Sequence, residues 1–216
     1  MKFYFMSSFG AVLRYFEYSF WKGLVCEFIN LQMAFIWNFA DVLIMLMGWA
    51  LKFRLHQVTI RVKSLKDSDL PNIIKWKTLR KDYLRVAALC ESTNQKLSSL
   101  VLVSFSVNLY FVLKQIFRSL TKIKDSIELA YIYISFVLLV MRISLVIIFG
   151  SGVYDEWRDI CFFLQSVKSS AFSPEVERFV KNASTYELAL TGKNFFSIRR
   201  SLILQVSFVQ GDLSVF

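Results

Sequence analysis

The chain has 216 residues; 56% are hydrophobic and 19% charged, and mean hydropathy is +0.48. A soluble domain of this size carries more charge and fewer than the 22 phenylalanines found here, so the composition points to a membrane protein. The net charge of +10 raises the question of nucleic acid, which the placement of the charge answers below.

Two prolines and seven glycines leave room for long uninterrupted helices. The strand alternation of an outer-membrane barrel is absent. Cys26, Cys90 and Cys161 are odd in number, far apart and free of any C-x-x-C pair. His56 is the single histidine, so histidine-based zinc sites and catalytic triads lack their parts. No metal, no cofactor and no enzymatic activity is expected.

At the N-terminus Lys2 and the apolar residues 3–13 imitate a signal peptide. Arg14 follows, however, and no small-residue cleavage site is evident. Residues 3–20 read as the end of an earlier helix or an outer loop within a longer sequence.

Residues 28–51 form the first predicted span. At 1.5 Å per residue they cover about 36 Å, against a hydrocarbon core of about 30 Å. Residues 98–117 and 131–150 form the second and third. Between the first two lies a block, 52–96, with eleven Lys and Arg against four Asp and Glu. Basic residues beside a span set orientation, so 52–96 is expected in the cytoplasm and the turn near Lys122 outside. The same placement removes the case for nucleic acid.

The block reads as helical. The first span continues through LKFRLHQVTIRVKSL, and Asp67-Ser68-Asp69 with Pro71 marks a break and a restart. From Ile73 onward no Gly or Pro interrupts the approach to the second span. Pro174, after Ser173 and before Glu175 and Glu177, marks another helix start. An incomplete last helix is expected over 188–209, too short to cross and interrupted by Arg199 and Arg200, each costing about 2.5–3.5 kcal/mol at a helix centre.

Polar residues inside spans are expensive and default to functional candidates. Counting about 100° per residue from Asn30, Trp37 lies at −20°, Asp41 at +20° and Asn38 at 80°. One helix face thus combines an amide, an indole and a carboxylate, the set that sugar hydroxyls and the apolar faces of a sugar ring require. The outer half of the second span adds Asn108, Tyr110 and Gln115, and that of the third adds Tyr131, Tyr133 and Ser135. Two bland readings stand beside this one. Asn30, Trp37 and Asn38 also suit hydrogen bonds between helices, and the two tyrosines suit an interfacial belt. Asp41 and Arg142 lie at matched depth, about 17–20 Å below the outer ends of their helices. Opposite charges so placed are expected to pair, with a ligand contact as the second role for Asp41. Asn182-Ala183-Ser184 is a glycosylation sequon, expected to be unused on the cytoplasmic side.

Several stretches together carry a resemblance. The run SPEVERFVKNASTYELALTGKNFFSIRRSLILQ, with ALTG at 189–192, Phe195-Phe196 and SLILQ, resembles the approach to the last membrane helix of insect gustatory receptors of the sugar-sensing group. FIWNFADVLIMLMGWALKFR is similar to the fourth helix of that group. WKTLRKDYLRVAALCESTNQKLSSLVLVSFSVNLYFVL is similar to the fifth with its cytoplasmic approach, and the span with Met141-Arg142 to the sixth. The resemblance implies an all-α integral membrane protein holding helices four to six and the start of seven of a seven-helix insect chemoreceptor. It further implies a tetrameric, sugar-gated cation channel in the plasma membrane, partnered by other gustatory receptor subunits and the lipid bilayer.

The resemblance stops after Gln205. The next residues, Val206-Ser207, are what the common intron donor GTAAGT encodes in frame, and an intron commonly falls here in this family. Residues 206–216 are therefore expected to be translated intron and the chain incomplete. A non-conducting fragment that associates with full-length subunits is the alternative.

Overall fold

The computed structural model describes residues 19–66, 73–119, 126–167 and 172–202. Among the described residues there are four helices: α1 (Phe20–Lys66), α2 (Ile73–Ser119), α3 (Ser126–Gln165) and α4 (Pro174–Thr185). The first three are long and apolar enough to cross a membrane. Of the most apolar window in each, 28%, 22% and 28% is buried, so most of that surface faces outward.

The chain divides into two units, Met1–Asp41 and Val42–Phe216. The described part of the first unit is the beginning of α1. Its side chains, including Leu24, Val25, Phe28, Ile29, Leu31 and Met33, stand exposed and apolar.

The second unit has its own core, built on apolar seams spaced by threes and fours. On α1 the seam is Ile44, Leu51, Leu55, Val58 and Val62; on α3 it includes Leu139, Ile143, Val146, Val153, Ile160 and Leu164. On α2 it runs from Trp76, Leu79 and Tyr83 through Cys90 and Leu97 to Val101, Ser104, Asn108 and Val112. This spacing keeps one face of each long helix turned to its neighbours over many turns. The α2 seam starts in the basic block and continues unbroken into the second span, as expected from the lack of Gly and Pro between them.

α1 and α3 touch closely at Gly48. A Cβ built there would lie 2.7 Å from the Phe149 carbonyl oxygen and 3.1 Å from the Gly150 Cα. Backbone cannot retreat as a flexible side chain can, so this crossing needs glycine.

α4 begins where the sequence predicts. Ser173 occupies the cap in extended conformation, Pro174 starts the helix, and Glu175 and Glu177 fall in its first turn. Its buried stripe, Val176, Phe179 and Ala183, docks against α2 and α3. One expectation changes, and several fall outside the described residues. Residues 188–200 are not helical, as described below. The Asp67–Pro71 break, the turn near Lys122, the N-terminal 18 residues and 203–216 lie outside the described residues.

Candidate functional site

The predicted ligand residues of the first span all lie on α1 in the first unit. The helix is continuous there, so Asn30, Trp37 and Asp41 do share a face. Asn30 is exposed, Trp37 half-buried and Asp41 only 1% exposed. Asn38 donates its Nδ2 to the Ala34 carbonyl at 2.7 Å, which commits half of its amide to its own helix.

The predicted residues of the second unit do not form one set. Asn108 is 3% exposed and donates to the buried Ser104 hydroxyl at 3.4 Å. Tyr110, two positions on, is 60% exposed. Two residues on a helix are about 200° apart, so these side chains serve opposite faces and cannot line one pocket. Gln115 donates to Ser135 at 2.8 Å and ties α2 to α3. Tyr131 and Tyr133 are exposed near the start of α3, where an interfacial belt would lie. Asp41 and Arg142 belong to different units, and neither is without a partner.

The densest chemistry lies beyond Gly150, in residues that the sequence reading left out of its candidate site. Glu156 on α3 is buried and held by two α1 side chains. His56 Nδ1 stands 3.1 Å from one carboxylate oxygen, and the Thr59 hydroxyl donates to the other at 3.0 Å. On α4, Glu175 accepts from Arg178 at 2.9 Å and from Arg80 Nε at 3.2 Å. Partial burial works against its charge, but the hydrogen bond from Arg178 and the charge and hydrogen bond of Arg80 outweigh it and hold its pKa below the usual carboxylate value. Tyr83 and Phe179 meet with ring centroids 5.2 Å apart, and the Trp157 indole donates to the Ala183 carbonyl at 2.9 Å.

After α4 the chain makes a miniature hairpin. Ile198 N–H donates to the Leu190 carbonyl at 2.8 Å, Gly192 N–H to Phe196 at 2.9 Å and Phe195 N–H to Gly192 at 3.0 Å. Thr191 and Ser197 bridge. At the tip Lys193 and Asn194 take φ of 47° and 62°, the left-handed pair of a tight hairpin turn. A side chain at Gly192 would meet the Phe196 ring at 2.5 Å, so the ring would have to shift to admit one. Asn94 on α2 anchors the hairpin. Its Oδ1 accepts the Thr191 N–H at 2.7 Å and its Nδ2 donates to the Thr191 hydroxyl at 3.1 Å. Leu190 and Ile198 are buried, and Phe196 packs on Phe105 with centroids 5.1 Å apart.

The two arginines expected inside a membrane helix have carboxylate partners instead. Arg199 donates Nη2 to both Glu187 oxygens at 2.7 and 2.8 Å and lies 4.8 Å from the Tyr154 ring centroid. Arg200 Nε stands 2.7 Å from Asp155 Oδ2, an ion pair by distance whose N–H is not aligned for a hydrogen bond.

No group of three His, Cys, Asp or Glu among the described residues could hold a metal ion. An open cleft of about 350 Å³ lies between the end of α1 and the start of α2 and is crossed by the Arg61–Asp82 ion pair at 3.1 Å. It stands in the basic block, and none of its lining residues is a predicted sugar contact.

The trehalose receptor family model matches residues 1–209. The chain belongs to the trehalose receptor family. Among its relatives in Drosophila melanogaster, the gustatory receptor for sugar taste 64f is 31% identical over 204 residues, covering 94% of this chain and 43% of that protein. The gustatory receptor 5a for trehalose is 27% identical, with 94% and 46% covered. The gustatory receptor for sugar taste 64b is 32% identical over 188 residues, with 87% and 46% covered. The chain thus spans less than half the length of these relatives. For this family member the all-α membrane architecture and the resemblance read from the sequence both hold.

Proposed function

We infer that the chain is part of a sweet-taste receptor, one subunit of a tetrameric, sugar-gated cation channel of the plasma membrane. The observation that carries this reading is the family match over residues 1–209, joined by relatives named for sugar taste and for trehalose. Neither metal nor cofactor is required: gating by a neutral sugar needs only hydroxyl partners and an apolar platform.

In this reading residues 52–96 lie in the cytoplasm and tastant arrives at the opposite end of the spans. Asn30, Trp37 and Asp41 present the platform, with Asn38 at its edge. A carboxylate and amides take sugar hydroxyls while the indole covers the ring's C–H face. Asn108 supplies a further amide only if its bond to Ser104 yields, and Tyr110 belongs to another surface. Asp41 pairs with Arg142 at rest, because either charge alone is expensive at that depth.

The test is a sugar panel applied to cells that express the protein with the other gustatory subunits of its tissue, read as cation current. Sugar-evoked current that Asp41→Asn abolishes at unchanged surface expression makes Asp41 a ligand contact. Surface expression lost in Asp41→Arg and regained with Arg142→Asp makes it half of an ion pair. Full surface expression with no response to any sugar rejects the receptor reading. Orientation is checked on intact cells: a cysteine at Lys122 should react with an impermeant reagent and one at Lys77 should not.

A further inference from the structure

The cleft between the end of α1 and the start of α2 has no role in the receptor reading, yet its lining is chemically specific. It encloses about 350 Å³, enough for a small molecule. Two cations line it from different helices, Arg61 of α1 and Lys75 of α2. Each has a hydroxyl three positions on, Ser64 and Thr78, which also line the cleft. Residues three apart are neighbours on a helix surface, so each cation stands beside its own hydroxyl. The stretches Arg-Val-Lys-Ser at 61–64 and Lys-Trp-Lys-Thr at 75–78 thus bring the same pair of groups to one space from two sides. All four residues are exposed.

One acid, Asp82, shares the lining. Its Oδ2 accepts from Arg61 at 3.1 Å and its Oδ1 from Arg85 at 3.5 Å. When Arg61 turns toward a bound anion, Arg85 remains on the other oxygen and the carboxylate keeps a cation. Lys75 is engaged at rest as well, so a ligand must compete for both cations. A phosphate monoester carries about −1.5 to −2 at neutral pH and three acceptor oxygens, against a single charge on a carboxylate. That difference favours it on a guanidinium and an ammonium. At rest the Ser64 hydroxyl donates to the Arg61 carbonyl and the Thr78 hydroxyl to the Ile74 carbonyl, both at 3.0 Å. Rotation about one bond redirects either of them.

The depth of the cleft bears on where its ligand comes from. With the first span ending at Leu51, Arg61 to Leu65 stand ten to fourteen residues further on, about 15–21 Å along the helix. Lipid headgroups extend only about 5–8 Å beyond the hydrocarbon. Even a helix tilted by about 40° keeps the cleft about 11 Å out.

We propose that this cleft binds a soluble, polyphosphorylated small molecule, held by Arg61 and Lys75 and by the hydroxyls of Ser64 and Thr78. Bound there, it ties the end of α1 to the start of α2. Its source in solution rather than in lipid rests on the span boundary and on the cytoplasmic placement of 52–96 proposed above. The binding chemistry rests on neither.

The test uses the full chain in nanodiscs of zwitterionic lipid, titrated with inositol hexakisphosphate by calorimetry. Saturable binding is expected. Arg61→Gln and Lys75→Gln should each weaken it roughly tenfold, the effect of one lost charge-assisted hydrogen bond. Asp82→Asn should tighten it, because Arg61 loses its resting partner. Lys77→Gln removes an exposed charge outside the lining and should change affinity less than about twofold, as screening allows. Unchanged helicity by circular dichroism separates lost binding from lost folding. No binding by the parent, or an equal loss in Lys77→Gln, overturns the proposal. A second arm places phosphatidylinositol 4,5-bisphosphate in the nanodiscs and reads unfolding temperature. A rise in the parent that Lys75→Gln removes, with no binding of the soluble anion, makes this a headgroup site and overturns the soluble source. Neither arm reads current, so a protein that answers no sugar loses the receptor reading and leaves this result standing.

Discussion

Along α3, the residues before Gly150 and those after it meet different neighbours. Before it, Ile134, Val137, Leu138, Met141 and Leu145 stand exposed and apolar, and Gln115 donates to Ser135 to tie this half to α2. After it, Asp155, Glu156, Trp157 and Cys161 each hold a polar partner drawn from α1, α4 or the residues just after the hairpin. The difference is the one expected of a change of solvent if the span ends at Gly150, as read from the sequence. A helix surrounded by hydrocarbon gains little from burying more hydrocarbon, so it relies on close approach and leaves its apolar surface outward. A helix end surrounded by water gains from both apolar burial and matched charge. The same helix follows both rules in turn.

Truncating one side chain in each region breaks or upholds this contrast most sharply. Phe179 is fully buried against Tyr83 below the spans. Phe179→Ala should cost about 3–5 kcal/mol, since the cavity adds to the lost transfer energy. Val137, exposed on the membrane half of α3, should change stability by under about 0.5 kcal/mol when cut to alanine. Thermal unfolding of the detergent-solubilised protein reads both. Equal losses would mean that the two regions are packed on the same terms.

Next in size is the close approach of α1 and α3 at Gly48. Gly48→Ala forces a methyl group to within 2.7 Å of the Phe149 carbonyl oxygen, and the cost of such overpacking is about 1–3 kcal/mol. The substituted helix interior would otherwise gain from losing glycine. A stabilised Gly48→Ala protein would show that α1 and α3 are not in contact there. The corresponding change below the membrane is Asn94→Ala, which leaves the Thr191 N–H without its 2.7 Å acceptor. It should cost about 1–3 kcal/mol and speed amide exchange at Thr191, whereas Asn94→Asp, which keeps an acceptor, should cost less.

The long helices were legible because their causes are local. Apolar runs of sufficient length, the missing Gly and Pro from Ile73 to Ser119, and Ser173-Pro174 followed by two acids are all read within a few residues. The family was legible for the same reason, from contiguous runs. What lies at 188–200 was not, since its causes are distant. Arg199 and Arg200 look like faults in a membrane helix until Glu187 and Asp155 are placed beside them, and Asp155 is on another helix. Asn94 and Thr191 stand ninety-seven positions apart and follow no pattern that links them. One local cue was present: Gly192-Lys193-Asn194 supplies the turn chemistry that a left-handed pair requires. In the predicted sugar face, spacing puts Asn30, Trp37 and Asp41 on one side of a continuous helix, but it also groups Asn108 with Tyr110, which helix geometry separates.

The smallest expected effect separates the two regions by pH. The charges that pin α4 belong to the water side, so acid should loosen α4 and leave the span packing untouched. Glu175 is the group to follow. Its folded pKa lies below the ordinary 4.5 because Arg178 and Arg80 favour the carboxylate over the opposing effect of burial. A carboxyl whose pKa is depressed by folding adds stability that is fully present above its unfolded value and is lost as pH falls through the folded one. From pH 7 down to about 5 the difference in unfolding temperature between the parent and Glu175→Gln should stay constant, since Glu175 is ionised in both folded and unfolded chains. Below the ordinary 4.5 it should shrink and then close as the parent's carboxylate takes up a proton. Gly48→Ala provides the control, because no titrating group takes part in its contact with Phe149, and its deficit should keep one value across the same range. A Glu175→Gln deficit that already shrinks between pH 7 and 6 would move the effect away from Glu175 and overturn this assignment.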